Sequence, residues 1–98
     1  MTATIPTQEQ VDRIARELAP DVVRIRLAVK PDWTDDLSLY FRVTLSDEAS
    51  RREPLRQVTG LVRAKVAEEL RLEDLDMHPY FRFRTQSEQA KLQDPQWA

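Results

Sequence analysis

His78 is the only histidine in the chain, and a serine–histidine–acid arrangement would have to use it. Asp74 and Asp76 lie close to it in sequence, and Ser87 offers a hydroxyl further on. That chemistry also needs a sharply exposed nucleophile, and the G-x-S-x-G elbow that provides one requires glycines. The chain has a single glycine, Gly60. His78 therefore reads as a polar residue at a strand entry, just before Pro79. A small enzyme or ligand binder working around His78 is the third of three functional readings.

Glu73, Asp74, Asp76 and His78 form the only cluster resembling a metal site. Calcium loops place their oxygens around an obligatory glycine, and zinc favours several histidines or cysteines. This cluster has one histidine, and the chain has no cysteine and no glycine nearby. It reads as a solvated acidic loop, and no metal is expected. Phosphate-cradling glycine loops are excluded, since one glycine makes neither G-x-G-x-x-G nor a P-loop. No cofactor is expected, and the chain reads as a non-enzyme.

The remaining candidate chemistry is recognition. In HPYFRFRT, residues 78–85, phenylalanine and arginine alternate strictly. Alternation of this kind marks a strand with one buried face and one open face. Phe81 and Phe83 belong to the buried face; Tyr80, Arg82 and Arg84 belong to the open one. Two earlier segments behave alike. In residues 22–30, Val23, Ile25, Leu27 and Val29 alternate with Arg24, Arg26, Ala28 and Lys30. In residues 37–45, Leu37, Leu39, Phe41, Val43 and Leu45 alternate with Ser38, Tyr40, Arg42 and Thr44.

Summed over three strands, the open face collects Arg24, Arg26, Lys30, Arg42, Arg82 and Arg84, with Tyr40 and Tyr80 among them. It contains no acid, although the chain has 17 acidic and 15 basic residues. Guanidinium groups present forked donors to carboxylate or phosphate, and phenols offer stacking surfaces. Trp33, at the tip of the PDWTDD connector, is a further candidate contact, although self-packing is the expectation for it and for Trp97.

These strands need a frame. Thr7 and Gln10 have capping-box spacing, and Val11, Ile14 and Leu18 follow at helical intervals, so a first helix is predicted to end near Ala19, before Pro20. Ser50 and Glu53 repeat the capping-box spacing, with Pro54 suited to a first turn. A second helix then runs to Leu70, with Leu55, Val58, Leu61, Val62, Val66 and Leu70 as its apolar stripe. Gly60 inside it is read as allowing close approach to the sheet. The third strand is placed at Tyr80–Thr85, and a short helical turn near Glu88–Leu92 falls in a polar tail.

The order α-β-β-α-β gives an α+β fold in two layers, with two helices on one face of a three-stranded mixed sheet. The crossover through the second helix makes the second and third strands parallel. Strand order 2-1-3 is expected, with the third strand beside the second as the alternative. Residues 1–86 form the single domain and 87–98 the tail. In topology alone the arrangement resembles half of a ferredoxin-like fold, the core of KH domains and small dimerising domains appended to cation transporters. The KH resemblance would imply a GxxG clamp on nucleic acid, and that loop is absent; the RRM aromatics are not matched either.

Ninety-eight residues, 41% of them apolar and 33% charged, suit one modest core. No apolar run approaches the roughly 18 residues of a membrane span, and MTATIPTQEQ lacks a secretory pattern. The absence of cysteine fits a cytoplasmic protein. The preferred expectation is a small interaction module using the basic face, an open sheet edge, or both, with a protein partner or a homodimer mate. Single-stranded nucleic acid on the same face is the alternative. A tail folded across the face, with Trp97 on arginine stems, is the competing arrangement.

Overall fold

A computed structural model describes residues 5–53 and 55–98. The expected role of Pro54 and the reading of residues 1–4 lie outside that range. Helix α1 (Gln8–Glu17) begins at the predicted capping box: Gln10 N–H donates to Thr7 Oγ1 and Thr7 N–H donates to Gln10 Oε1. Its Val11, Ile14 and Ala15 are buried. Strand β1 (Val22–Pro31) and strand β2 (Leu37–Leu45) form the antiparallel hairpin.

The polar crossover is more ordered than its sequence suggests. Ser46 caps a four-residue helix, α2 (Asp47–Ser50), by accepting from Ala49 N–H. Ser50 lies inside this helix, donating to Asp47 O, and so does not cap the next one. Helix α3 (Leu55–Leu70) buries Val58, Val62, Val66 and Leu70, a stripe of one residue per four. Leu55 and Leu61, expected on that stripe, are exposed because they fall to either side of it.

Strand β3 (His78–Thr85) runs parallel to β2 and begins two residues earlier than predicted. The sheet order is β1-β2-β3, which corrects the expected 2-1-3. The order 2-1-3 would leave β2 at an edge. Here β2 is instead the strand that tolerates neighbours on both sides: Leu39, Phe41, Val43 and Leu45 are almost wholly buried, and Ser38 and Thr44 are buried on the opposite face. A second correction concerns β1. The register shifts between Val22 and Arg24, so Val22 turns into the core and Val23 turns to solvent. A bulge adds one residue to one strand and inverts the parity of everything before it.

Helices α1 and α3 cover one face, and an ion-pair bridge ties them. Lys65 on α3 meets Glu69 at 2.9 Å and Glu17 of α1 at 3.0 Å, which together push its ammonium up to about 12. After β3, helix α4 (Gln86–Leu92) starts at a second capping box, from Thr85 and Glu88. It is longer than the predicted turn and leads to a 3-10 turn at Pro95–Trp97. Among the described residues no helix is long and apolar enough to cross a membrane.

Gly60 does not bring α3 closer to the sheet: a methyl group built there meets nothing within 4 Å, and the residue is exposed. Gly60→Ala is therefore expected to stabilise the fold by about 0.5–1 kcal/mol, through helix propensity alone. The urea unfolding midpoint should rise with an unchanged slope; a fall would show that the site is crowded.

Candidate binding face

The sheet register arranges the open face in four rows. Arg24, Thr44 and Arg84 form the first, and Arg26, Arg42 and Arg82 the second. Ala28, Tyr40 and Tyr80 form the third, and Lys30, Ser38 and His78 the fourth. Neighbouring strands lie about 4.8 Å apart, so the second row sets three guanidinium-bearing residues side by side. Like charges directly opposite on a sheet are destabilising. Among the described residues, Arg42 and Arg82 have neither an ion pair nor a side-chain hydrogen bond.

Thr44 and Arg84 of the first row are covered by the chain itself, while Arg24 at the β1 end of that row is exposed. Helix α4 crosses from β3 over β2, and the 3-10 turn reaches β1. The Arg84 guanidinium lies 4.4 Å from the Trp97 ring centre, 3.4 Å from Asp94 Oδ2 and 3.3 Å from Gln89 Oε1. Gln89 Nε2 donates to Asp94 O at 2.7 Å, closing the loop. Arg26 Nε donates to the backbone oxygen of Ala98. The start of α4 is fixed by Asp47, which accepts from the Ser87 N–H and hydroxyl; those bonds hold its carboxyl below the usual range. Trp97 is buried, as expected for self-packing.

The two tryptophans differ completely. Trp33 is 89% exposed at the hairpin tip, contrary to the self-packing expected of it. The hairpin bends around Asp32 instead. Asp32 Oδ1 accepts from the Thr34 hydroxyl at 2.6 Å, Thr34 N–H at 2.8 Å and Asp36 N–H at 3.3 Å. Its Oδ2 accepts from Tyr80 at 2.9 Å and from Ser38 at 3.1 Å. The Thr34 hydroxyl above all holds this carboxyl well below the ordinary range, with Thr34 N–H, Tyr80 and Ser38 adding to it against partial burial. Asp32 in turn pushes the Tyr80 phenol up.

The phenols are therefore engaged. Tyr40 and Tyr80 stack at 5.0 Å, Lys30 lies 4.9 Å from the Tyr40 centre, and His78 tilts onto Tyr80 at 4.5 Å. Sequence reasoning omitted Asp32 and His78 from this face. His78 shares the parity of Tyr80 and was discoverable from the alternation; Asp32 was signalled by the D-x-T spacing of an Asx turn. A cavity of about 500 Å³ lies beside them, lined by Asp32, Asp36, Leu37, Leu75, Asp76, Met77, His78 and Pro79. Among the described residues no group of three or more His, Cys, Asp or Glu is placed to hold a metal ion. No protein-family model, curated protein or solved structure matches this chain.

Because its folded-state carboxyl is depressed, Asp32 contributes stability above the ordinary carboxylate range, and that contribution is lost as pH falls. Asp32→Asn should be less stable than the parent at neutral pH, and the gap should narrow between about pH 5 and pH 2. Urea titrations at stepped pH measure this; a constant gap would show that the charge is irrelevant. In a Trp33→Phe background, the remaining Trp97 emission should be blue-shifted and resistant to iodide. Adding Arg84→Ala should shift it red, with docking weakened by about 1 kcal/mol.

Proposed function

We propose that the chain is a non-catalytic interaction module whose basic sheet face binds an acidic partner protein. The observation that carries this reading is the Arg26–Arg42–Arg82 row: three cationic residues abreast, two of them without any partner group among the described residues. An anionic partner relieves the mutual repulsion of the row, and arginine matches carboxylate geometry in a bidentate way. Lys30, at the far side of the stacked tyrosines, extends the positive surface. The chain supplies its own example of the contact, with Arg84 holding a carboxylate and an indole together.

Single-stranded nucleic acid is the weaker alternative on this face. Base stacking needs free ring faces. Both tyrosines spend theirs on each other, on Lys30 and on His78. Face-to-face homodimerisation is disfavoured by the arginines themselves. The non-catalytic reading draws support from the single glycine, which makes neither a nucleophile elbow nor a phosphate loop. A cytoplasmic setting fits the lack of cysteine.

Fluorescence anisotropy with a labelled glutamate-rich peptide and a labelled oligouridine tests the proposal. The peptide is expected to bind in a salt-dependent manner, and the Arg42→Glu/Arg82→Glu double variant should bind about tenfold or more weakly, with its circular dichroism unchanged. Tighter binding of the oligonucleotide at equal ionic strength would overturn the protein-partner reading, as would no binding of the peptide.

A further inference from the structure

The two edges of the sheet are not equivalent. The outer edge of β1 is blocked at Ile25–Leu27 by a side chain. Gln8 Nε2 donates to Ile25 O at 2.7 Å, and Gln8 Oε1 accepts from Leu27 N–H at 2.9 Å. One primary amide thus occupies the slot that the peptide group of a neighbouring strand would fill. It is steadied by Asp12 at 2.7 Å and carried by α1, which packs along β1.

Among the described residues, the outer edge of β3 has no such cover. β3 pairs with β2 alone, and α4 departs across β2 rather than along that edge. An unpaired strand edge is a template for another strand. On its core-facing side, Phe81 and Phe83 are only half-buried, although Phe81 stacks on Phe41 at 4.9 Å. Arg63 lies over both rings, at 5.9 and 5.3 Å from their centres. On its open-face side the same strand presents Arg82, which is exposed. The edge therefore offers apolar aromatic surface on one side and an unpaired cation on the other, in strict alternation.

We infer that the free edge of β3 docks an extended acidic segment of a partner protein, which adds as a fourth strand. This rests on the proposed reading of the domain as a binder of acidic proteins and assigns the mode of binding. The segment has alternating side chains: carboxylates on the side of Arg82, and apolar groups against Phe81 and Phe83. Main-chain hydrogen bonds give affinity in such complexes, and the alternate side chains give specificity. A second copy of this chain fits less well. Its own open edge is β3, and antiparallel pairing centred on Arg82 would set the two arginines against each other. The arginine that invites an acidic strand thus also disfavours self-pairing.

The test uses the full chain, labelled with nitrogen-15, and three capped hexapeptides: alternating Glu-Val, the same peptide N-methylated at alternate residues, and alternating Lys-Val. Glu-Val is expected to bind, to shift the β3 amides and to slow their hydrogen exchange, whereas the N-methylated form and Lys-Val bind at least about tenfold more weakly. Arg82→Glu, a change at an exposed residue, should reverse the preference towards Lys-Val. Equal binding of the two Glu-Val forms without β3 protection, and with shifts at Arg26 and Arg42, would overturn strand addition and leave the acidic-face reading standing. No binding of Glu-Val while the glutamate-rich peptide of the anisotropy assay binds would do the same. Failure of both acidic peptides would remove both readings. Concentration-dependent protection of β3 without any peptide would show that a second copy is the occupant.

Discussion

The rest of the structure depends on the burial of β2 on both of its faces. Leu39, Phe41, Val43 and Leu45 meet the helices, while Ser38 and Thr44 are buried beneath the Asp32 turn and the returning tail. A strand enclosed in this way has no solvent to satisfy its backbone, so it needs a ladder on each side. The hairpin supplies one and the right-handed crossover through α3 supplies the other. Central placement of β2 also lines up the cations, because the arginine of β2 falls level with one arginine from each neighbour.

Much of this was legible in the residues, and the exceptions have physical causes. Period-2 alternation placed the three strands and separated their faces, because pleating leaves no freedom once one side is buried. The Thr7–Gln10 pair signalled the start of α1 because capping is a local event. Strand order was not local. Strand β3 has the same alternating pattern whether it lies beside β1 or β2, and central placement goes with the burial of Leu39, Phe41, Val43 and Leu45 on one face of β2 and of Ser38 and Thr44 on the other. The bulge at Val22–Arg24 escaped for a related reason: both valines are apolar, so the pattern does not say which one turns inward.

The site shows the same division. The basic residues of the face followed from parity, and a tail laid across them with Trp97 on an arginine stem was one of the arrangements weighed; the contacts that fasten it were not legible. QSEQAKLQDPQWA looks polar, and its docking depends on particular partners far away in sequence: Asp47 for Ser87, Arg84 for Asp94 and Trp97, Arg26 for Ala98. The contrast between Trp33 and Trp97 follows from what each finds nearby. Trp97 reaches the Arg84 guanidinium on the sheet, while Trp33 projects from a turn held by a carboxylate and stays exposed.

The plug formed by Gln8 has a consequence for assembly. A sheet that is receptive on both sides can be extended indefinitely, each newcomer templating the next, and that is the route to cross-β polymers. Here the Ile25–Leu27 stretch of one flank is stoppered from within by the first helix. Open-ended growth in register is thereby discouraged from that flank.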